Sequence, residues 1–370
     1  MTTRRWFLAE AAGACAGCLA LARLDARAGS ATDLVPHTAR WYKKLPEDWV
    51  QCGLCPHACK VSDGERGTCG VRENRRGTFY TLVHSRPCSV AVDPIEKKPF
   101  FHVLPGAQAF SLATAGCNFT CKCCQNWEIA QARPEQIPAV TLGPDEVVAA
   151  AQRQGAPLIA CTNTEPVVFS EYVLDIAAAG RRKGVRTVVV SNGYIQEEPI
   201  ADLCRELAAY KVDLKAFTEP FYKEQCGGEL KPVLDTLRRL RKLGTWTEIV
   251  VLLIPTLNDG VAEARALARF VRDELGADVP VHFTRFHPTY RLANLPSTPV
   301  PTLERARNVA LEEGLHFVYL GNVPGHDGEN TYCPRCGKIL IHRLGMAVVE
   351  NRLKKGACPD CGCAIPGVWA

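Results

Sequence analysis

From residue 109 onward, short apolar runs alternate with longer amphipathic stretches. The runs at 109–113, 158–161, 185–190, 212–214, 248–254 and 281–286 are dense enough in apolar residues to read as strands buried on both faces. Between and after them, segments 144–154, 167–183, 197–210, 233–243, 261–275 and 303–313 carry apolar residues at helical spacing. Gly155, Gly184 and Gly244 follow three of these segments, and Pro144 opens the first, the usual asymmetry of helix ends. Six strand–helix units in succession predict parallel strands joined by right-handed crossovers. The fold class is therefore α/β. Both a barrel and a doubly wound sheet meet this pattern.

The polar residues favour a barrel, because they gather just after the strands, where barrel sites lie. Thr162, Asn163, Thr164 and Glu165 follow the second strand, and Ser191 and Asn192 the third. Asp213 and Lys215 end the fourth, Asn258 and Asp259 follow the fifth, and Arg285 and His287 close the sixth. The expected architecture is a partial (β/α)6 TIM-like barrel whose polar strand ends meet at one mouth. In such a mouth Glu165 is a candidate partner for an ammonium or a ribose hydroxyl. Asn192 can hydrogen-bond a polar edge, and Asp213, Lys215 and His287 can orient a ligand or donate protons. Each alone also reads as a strand-end cap or a surface ion pair.

Cysteines add chemistry to this frame. The chain has 370 residues and 19 cysteines, and the cysteines are grouped. Such grouping reads as metal or iron–sulfur sites more readily than as a disulfide framework. After the first strand, AGCNFTCKCCQNWE places Cys117, Cys121 and Cys124 in a C-x3-C-x2-C spacing. Three thiolates can hold three irons of a [4Fe-4S] cluster and leave the fourth iron open to a substrate or cofactor. A structural zinc loop would need a fourth ligand, and Cys123, adjacent to Cys124, is an awkward one. Upstream, Cys52, Cys55, Cys59 and Cys69 form a C-x2-C-x3-C-x9-C set that can close around one zinc or one further cluster. His57 is an alternative ligand there. In the tail, Cys333 and Cys336 then Cys358 and Cys361 make two C-P-x-C knuckles, a zinc-ribbon pattern. The expected organisation is a leader over 1–30, a cysteine-rich module and connector over 31–108, a core over 109–329 and the ribbon over 330–370.

Composition changes little else. A hydrophobic fraction of 47% is ordinary for a globular protein, and a formal charge of +5 without a basic run argues against nucleic acid as partner. The leader carries Arg4 and Arg5 before Trp6, Phe7 and Leu8, then an Ala/Gly-rich run and Ala26-Arg27-Ala28. It resembles a twin-arginine export signal and is too short and interrupted to span a membrane. Export by that route is the expected location, with the cytoplasm as the alternative.

The cysteine loop, with Phe119 two residues after its first cysteine, resembles the radical S-adenosylmethionine superfamily. From about Trp41 onward the chain is similar to the radical S-adenosylmethionine enzymes of the AmmeMemoRadiSam system, relatives of pyruvate formate-lyase activating enzymes. CGLCPHAC with GTCGVREN, DPIEKKP with HVLPG, GCNFTCKCCQNWEIAQ, TEP, SNGYI, DLKAF, FYKEQCGG, IPTLND, HFTRFHP and GNVPGHDGENTYCPRCG carry the likeness. It implies a [4Fe-4S] cluster on Cys117, Cys121 and Cys124 whose open iron is chelated by S-adenosylmethionine. It implies a 5′-deoxyadenosyl radical that abstracts hydrogen from a substrate, and a one-electron reductant such as flavodoxin or ferredoxin. It also implies that Asn163 and Glu165 stand where activating enzymes carry a Gly-Gly-Glu turn toward the cofactor's amino group. CTNTEP departs from the family in having Asn163 before TEP, where an aromatic is more usual. A protein substrate, or the system's partner proteins, follows from the same kinship. The competing class is a non-catalytic iron–sulfur and zinc scaffold or electron-transfer protein, which needs the cysteines but not the polar strand ends.

Overall fold

The computed structural model describes residues 34–370 and a two-residue strand, Ala28–Gly29. The rest of the leader, with Arg4, Arg5 and Cys18, lies outside the described residues. The centre of the molecule is an eight-stranded sheet. Its strands are β1 (Ser89–Pro94), β2 (Gln108–Ala113), β3 (Leu158–Cys161), β4 (Arg186–Ser191), β5 (Ala209–Asp213), β6 (Trp246–Leu253), β7 (Val281–Arg285) and β8 (Val318–Gly321). They lie side by side in chain order; β2 to β8 are parallel, and β1 pairs antiparallel with β2. A doubly wound sheet reverses its strand order at a switch point, and this sheet does not. Crossovers of one hand in unbroken order put all the helices on one face. The other face is left to enclose a site. The two edge strands, β1 and β8, do not pair with each other, so the sheet stays open.

Side-chain alternation divides the two faces. Along β3, Ile159 and Cys161 join the large core beneath the helices, whereas Leu158 and Ala160 face a smaller cluster with Ala109, Val188, Val190 and Ala209. Ile95, Phe100 and Val103 of the connector after β1 fill this inner cluster. The inner face therefore has an apolar base plugged by the connector.

The expected elements are recovered with three differences. The seventh parallel strand, β8, was not foreseen; it follows the helix Val300–Glu312 and completes the sheet before the tail. The helix expected over 197–210 ends at Cys204, and residues 209–211 already belong to β5. Ala209 and Tyr210 fit either pattern, and the inward Lys211 hid the strand. The charged run Glu96-Lys97-Lys98, whose composition suits a solvated turn or a lip over the site, has Glu96 and Lys98 4% exposed. Lys98 pairs with Asp93 at 2.8 Å, and Glu96 lies 3.7 Å from Arg343 of the tail.

Two appendages are fastened by buried arginines. The N-terminal module consists of two three-stranded sheets, Tyr42–Lys44, Val50–Cys52 and Lys60–Val61 beside His37–Thr38, Thr78–Thr81 and Arg72–Arg75. Arg72 reaches Glu171 in the helix Ser170–Arg182 through two bonds of 2.7 and 2.9 Å, with both side chains 1% exposed. The tail sheet, Thr331–Tyr332, Ile339–Leu344 and Ala347–Asn351, inserts Arg343. Its guanidinium donates to the Phe101 carbonyl at 2.8 Å and lies 4.0 Å over the Phe101 ring. His102, also buried, bonds Tyr319 Oη and the Pro366 carbonyl, a packing role.

Breaking a buried, hydrogen-bonded ion pair strands the remaining charge. Arg72→Ala is expected to cost about 3–5 kcal/mol in chemical denaturation, and the double change Arg72→Met/Glu171→Leu to recover most of it.

Candidate active site

At the carboxyl ends of the strands lies a cavity of about 680 Å³, within the size range of small-molecule sites. Cys117, Cys121, Cys123 and Cys124 line it, together with all six polar candidates: Asn163, Glu165, Asn192, Asp213, Lys215 and His287. The convergence anticipated from the strand ends is thus present. The residues differ in how they sit.

Neighbouring strand ends hold the cysteine loop. Asn118 Nδ2 donates to the Tyr194 carbonyl at 2.9 Å, and Asn192 Nδ2 donates to Asn118 Oδ1 at 2.8 Å. Thr120 and Lys122 donate their N–H groups to the Cys226 and Gln225 carbonyls at 2.8 and 2.9 Å. Phe119 is 1% exposed and lies against Gly228, where an added Cβ would come within 2.2 Å of the ring. Asn192 therefore ties the loop through one N–H of its side chain while it also lines the cavity.

Glu165 is buried. Its Oε1 accepts from Ser191 Oγ at 2.7 Å and Val167 N at 3.0 Å, and its Oε2 accepts from Asn192 N at 2.8 Å. Burial pushes its pKa up to about 7, against the pull of those donors. Oε2 keeps one lone pair for a ligand. Asn163 adopts φ 67°, and its carbonyl accepts from Asn126 Nδ2 at 2.8 Å, which ties the turn after β3 to the cysteine loop.

Asp213 sits between Lys211 Nζ at 3.3 Å and Lys215 Nζ at 3.1 Å. Burial disfavours its charge, but the two ammonium groups outweigh burial and hold its pKa below the ordinary value. Lys215 is likewise opposed by burial, and Asp213 and the thiols of Cys121 and Cys123 hold its pKa above the usual range. His287 stands apart on the exposed rim, with Nδ1 3.3 Å from Ser297 Oγ.

Sequence reasoning missed the inward side chains within the strands. Lys211, His282 and Thr284 line the cavity, and Glu248 lies beneath it. Glu248 accepts from Phe101 N, His102 N and His282 Nε2 at 2.8–2.9 Å. Burial opposes its charge, but these donors keep it an anion, and burial keeps His282 neutral. The available signal was a charged or polar residue at alternate positions of otherwise apolar strands.

Two metal-type groupings differ in spacing. In the tail, the sulfurs of Cys333, Cys336, Cys358 and Cys361 lie within 4.8 Å of one another, with contacts of 3.6 and 3.7 Å. A tetrahedron of zinc–sulfur bonds of about 2.3 Å has edges of about 3.8 Å, so a single ion fits. On the outer surface, His37 and His84 stack at 4.0 Å with 8° between their planes beside Asp175. Their ring planes are nearly parallel, and both nitrogens of His84 are already engaged, Nε2 with Asp175 and Nδ1 with Ser85.

Comparison with known proteins agrees with the site. The model of the radical SAM superfamily matches residues 111–270, a span that runs from the first parallel strand and holds five of the six polar candidates, His287 lying beyond it. An uncharacterized protein of Methanocaldococcus jannaschii is 45% identical over 326 residues, covering 88% of this chain and 97% of that protein. The chain belongs to the radical SAM superfamily. A domain of the pyruvate-formate lyase-activating enzyme from Bacteroides vulgatus is similar over 44% of this chain and 98% of its own, at 16% identity and TM-score 0.40. A radical SAM methyltransferase from Sphaerobacter thermophilus is similar over 61% of this chain and 70% of its own, at 18% identity and TM-score 0.44. As a radical SAM enzyme the protein has S-adenosylmethionine and an iron–sulfur cluster as its cofactors.

Two outcomes test the site's construction. Gly228→Ala forces Phe119 to move and is expected to cost about 1–3 kcal/mol, with lower iron occupancy after reconstitution. In the metal-free protein, Glu165 holds its proton up to about pH 7, whereas the unfolded chain releases it near the ordinary 4.5. Its contribution to stability is therefore full below 4.5 and lost as pH rises through about 7. Glu165→Gln should remove that slope from denaturation curves taken across this range.

Proposed function

We propose that Cys117, Cys121 and Cys124 carry the [4Fe-4S] cluster of this radical SAM enzyme and that its substrate is a protein. The observation that carries the reading is the three-cysteine loop on the wall of an open cavity where the polar strand ends converge. Together, such a cluster and S-adenosylmethionine supply a one-electron cleavage that yields a 5′-deoxyadenosyl radical. The chain's own residues would hold the cofactor and keep water from it. Glu165, through its remaining lone pair, and the Asn163 turn would take the ammonium end. The Lys211–Asp213–Lys215 group would offer an anion acceptor balanced by two cations beside the thiols. Val190, Leu252 and Leu320 would cover the apolar parts.

A protein substrate is supported by the rim. Gly345 and Met346, at the tip of the tail hairpin, border the cavity, and Leu344, Met346 and Val349 are 61, 48 and 58% exposed. An apolar rim at an open mouth suits a macromolecule that inserts one side chain or a backbone segment. The same reading takes a flavodoxin- or ferredoxin-like reductant, an AmmeMemoRadiSam partner protein as the first substrate to try, and zinc as the tail's ion. It leaves the twin-arginine leader as the route of export after cofactor loading.

Reconstituted and reduced protein should release 5′-deoxyadenosine from S-adenosylmethionine, and Cys121→Ala should abolish this together with site iron. Glu165→Gln should weaken S-adenosylmethionine binding about 10- to 100-fold in equilibrium titration at unchanged iron content. Unaltered binding would sink the role given to Glu165. Leu344→Ser/Met346→Ser should slow turnover of a protein substrate while leaving uncoupled 5′-deoxyadenosine release intact. Equal turnover in the variant would point to a small substrate.

A further inference from the structure

The N-terminal cysteines form a second site with its own geometry. Cys52, Cys55, Cys59 and Cys69 line one cavity of about 20 Å³, large enough for a water molecule. All four are free thiols. Among the described residues, no three of their sulfurs come as close together as the tail's four, which lie within 4.8 Å. The tail shows how this chain arranges four cysteines for a single ion, and the N-terminal set is more widely spread. The same spread holds for Cys117, Cys121 and Cys124. Wider sulfurs around an internal space suit a polynuclear core whose irons each take one thiolate.

The cavity wall also carries a buried N–H donor that lacks a partner. Arg72 lines it and is 1% exposed, and its Nε has no hydrogen-bond partner. Its two terminal nitrogens are spent on Glu171 and the Arg40 carbonyl. A buried unpaired N–H costs stability unless an acceptor reaches it. Thiolate or bridging sulfide supplies one.

This site adjoins the active-site loop. Gly116, the residue before Cys117, has φ +93°, and an added Cβ would lie 2.8 Å from the Cys69 carbonyl and 2.4 Å from Val71 Cγ1. His57 Nε2 donates to the Asn118 carbonyl at 2.7 Å. The loop that carries Cys117 thus packs directly on the module that carries Cys69.

We propose that Cys52, Cys55, Cys59 and Cys69 hold a closed iron–sulfur cluster that passes electrons to the cluster at Cys117, Cys121 and Cys124. One electron leaves a reduced flavin or iron–sulfur protein, reduces the N-terminal cluster, and moves on to reduce the active-site cluster. The donor is oxidised by one electron, and the N-terminal cluster returns to its starting state. The relay rests on the assignment of the active-site cluster made above; the second cluster itself does not.

Anaerobic iron, sulfide and zinc analysis of the full chain decides the cluster. The wild type should hold about eight irons and eight sulfides, and the variant Cys117→Ala/Cys121→Ala/Cys124→Ala about four of each, with a spectrum indifferent to S-adenosylmethionine. A wild type with about four irons and a second zinc would overturn the proposal without relying on any variant. For the relay, Cys59→Ser is compared with wild type using reduced flavodoxin and, separately, a small-molecule photoreductant. A several-fold loss of 5′-deoxyadenosine with flavodoxin alone is expected, and equal rates with both reductants would refute electron entry through this site. The wild type's response to S-adenosylmethionine under the photoreductant reports separately on the active-site cluster, so the two assignments can fail independently.

Discussion

The Asn192 side chain joins the cysteine loop to the sheet, and the active site depends on that junction. Its amide nitrogen donates to Asn118 in the loop, its oxygen accepts from Tyr194 N, and its backbone N–H holds Glu165. Asn118 returns a bond to the Tyr194 carbonyl. One residue at the end of β4 therefore positions both the metal-type loop and the acid on the neighbouring turn. A loop whose cysteines line one cavity needs such anchoring, because its sulfurs must be held facing the same space. Fully satisfied buried polar networks rigidify in this way, whereas partly satisfied ones are costly.

The buried charges follow a consistent rule. Glu248 is an anion because four N–H donors surround it, counting Trp246 Nε1 at 3.3 Å. Asp213 is one because two ammonium groups flank it. Glu165 has donors and feels the more distant Lys215 but makes no ion pair among the described residues, and its carboxyl alone among these three is shifted upward by burial. An acid that is buried, hydrogen-bonded and outside any ion pair is suited to receive a cation from a ligand. Arg72 and Arg343 do the converse for the appendages, carrying a charge inward so that each module closes over one side of the sheet.

The tail illustrates why a metal motif and a working surface need not be separate things. Its cysteines are grouped tightly enough for one ion, and the hairpin they support places Gly345 and Met346 on the cavity rim. The sequence pattern shows the knuckles but not that the hairpin between them reaches the site. That reach depends on Arg343 docking on Phe101, a contact across more than two hundred residues.

The sequence by itself determined the order of strands and helices, the cysteine groupings and the polar strand ends. Each of these is a local pattern: apolar runs, two-to-three-residue ligand spacings, and polar residues where a strand stops. It also located the cavity's main wall, since in-order parallel strands must send their carboxyl ends to one side. Tertiary structure decided which of those polar groups remain available. Asn192 is tied to the loop, Glu165 retains one lone pair, and His287 stays on the rim. It alone revealed Lys211, His282 and Thr284 as lining residues, because the facing of a side chain in a strand is settled by register with its neighbours. The spacing of C-x2-C-x3-C-x9-C was equally compatible with one ion or a cluster. In the fold, the packing of the module through Arg72 on Glu171 sets where those sulfurs stand, and no local spacing encodes that contact.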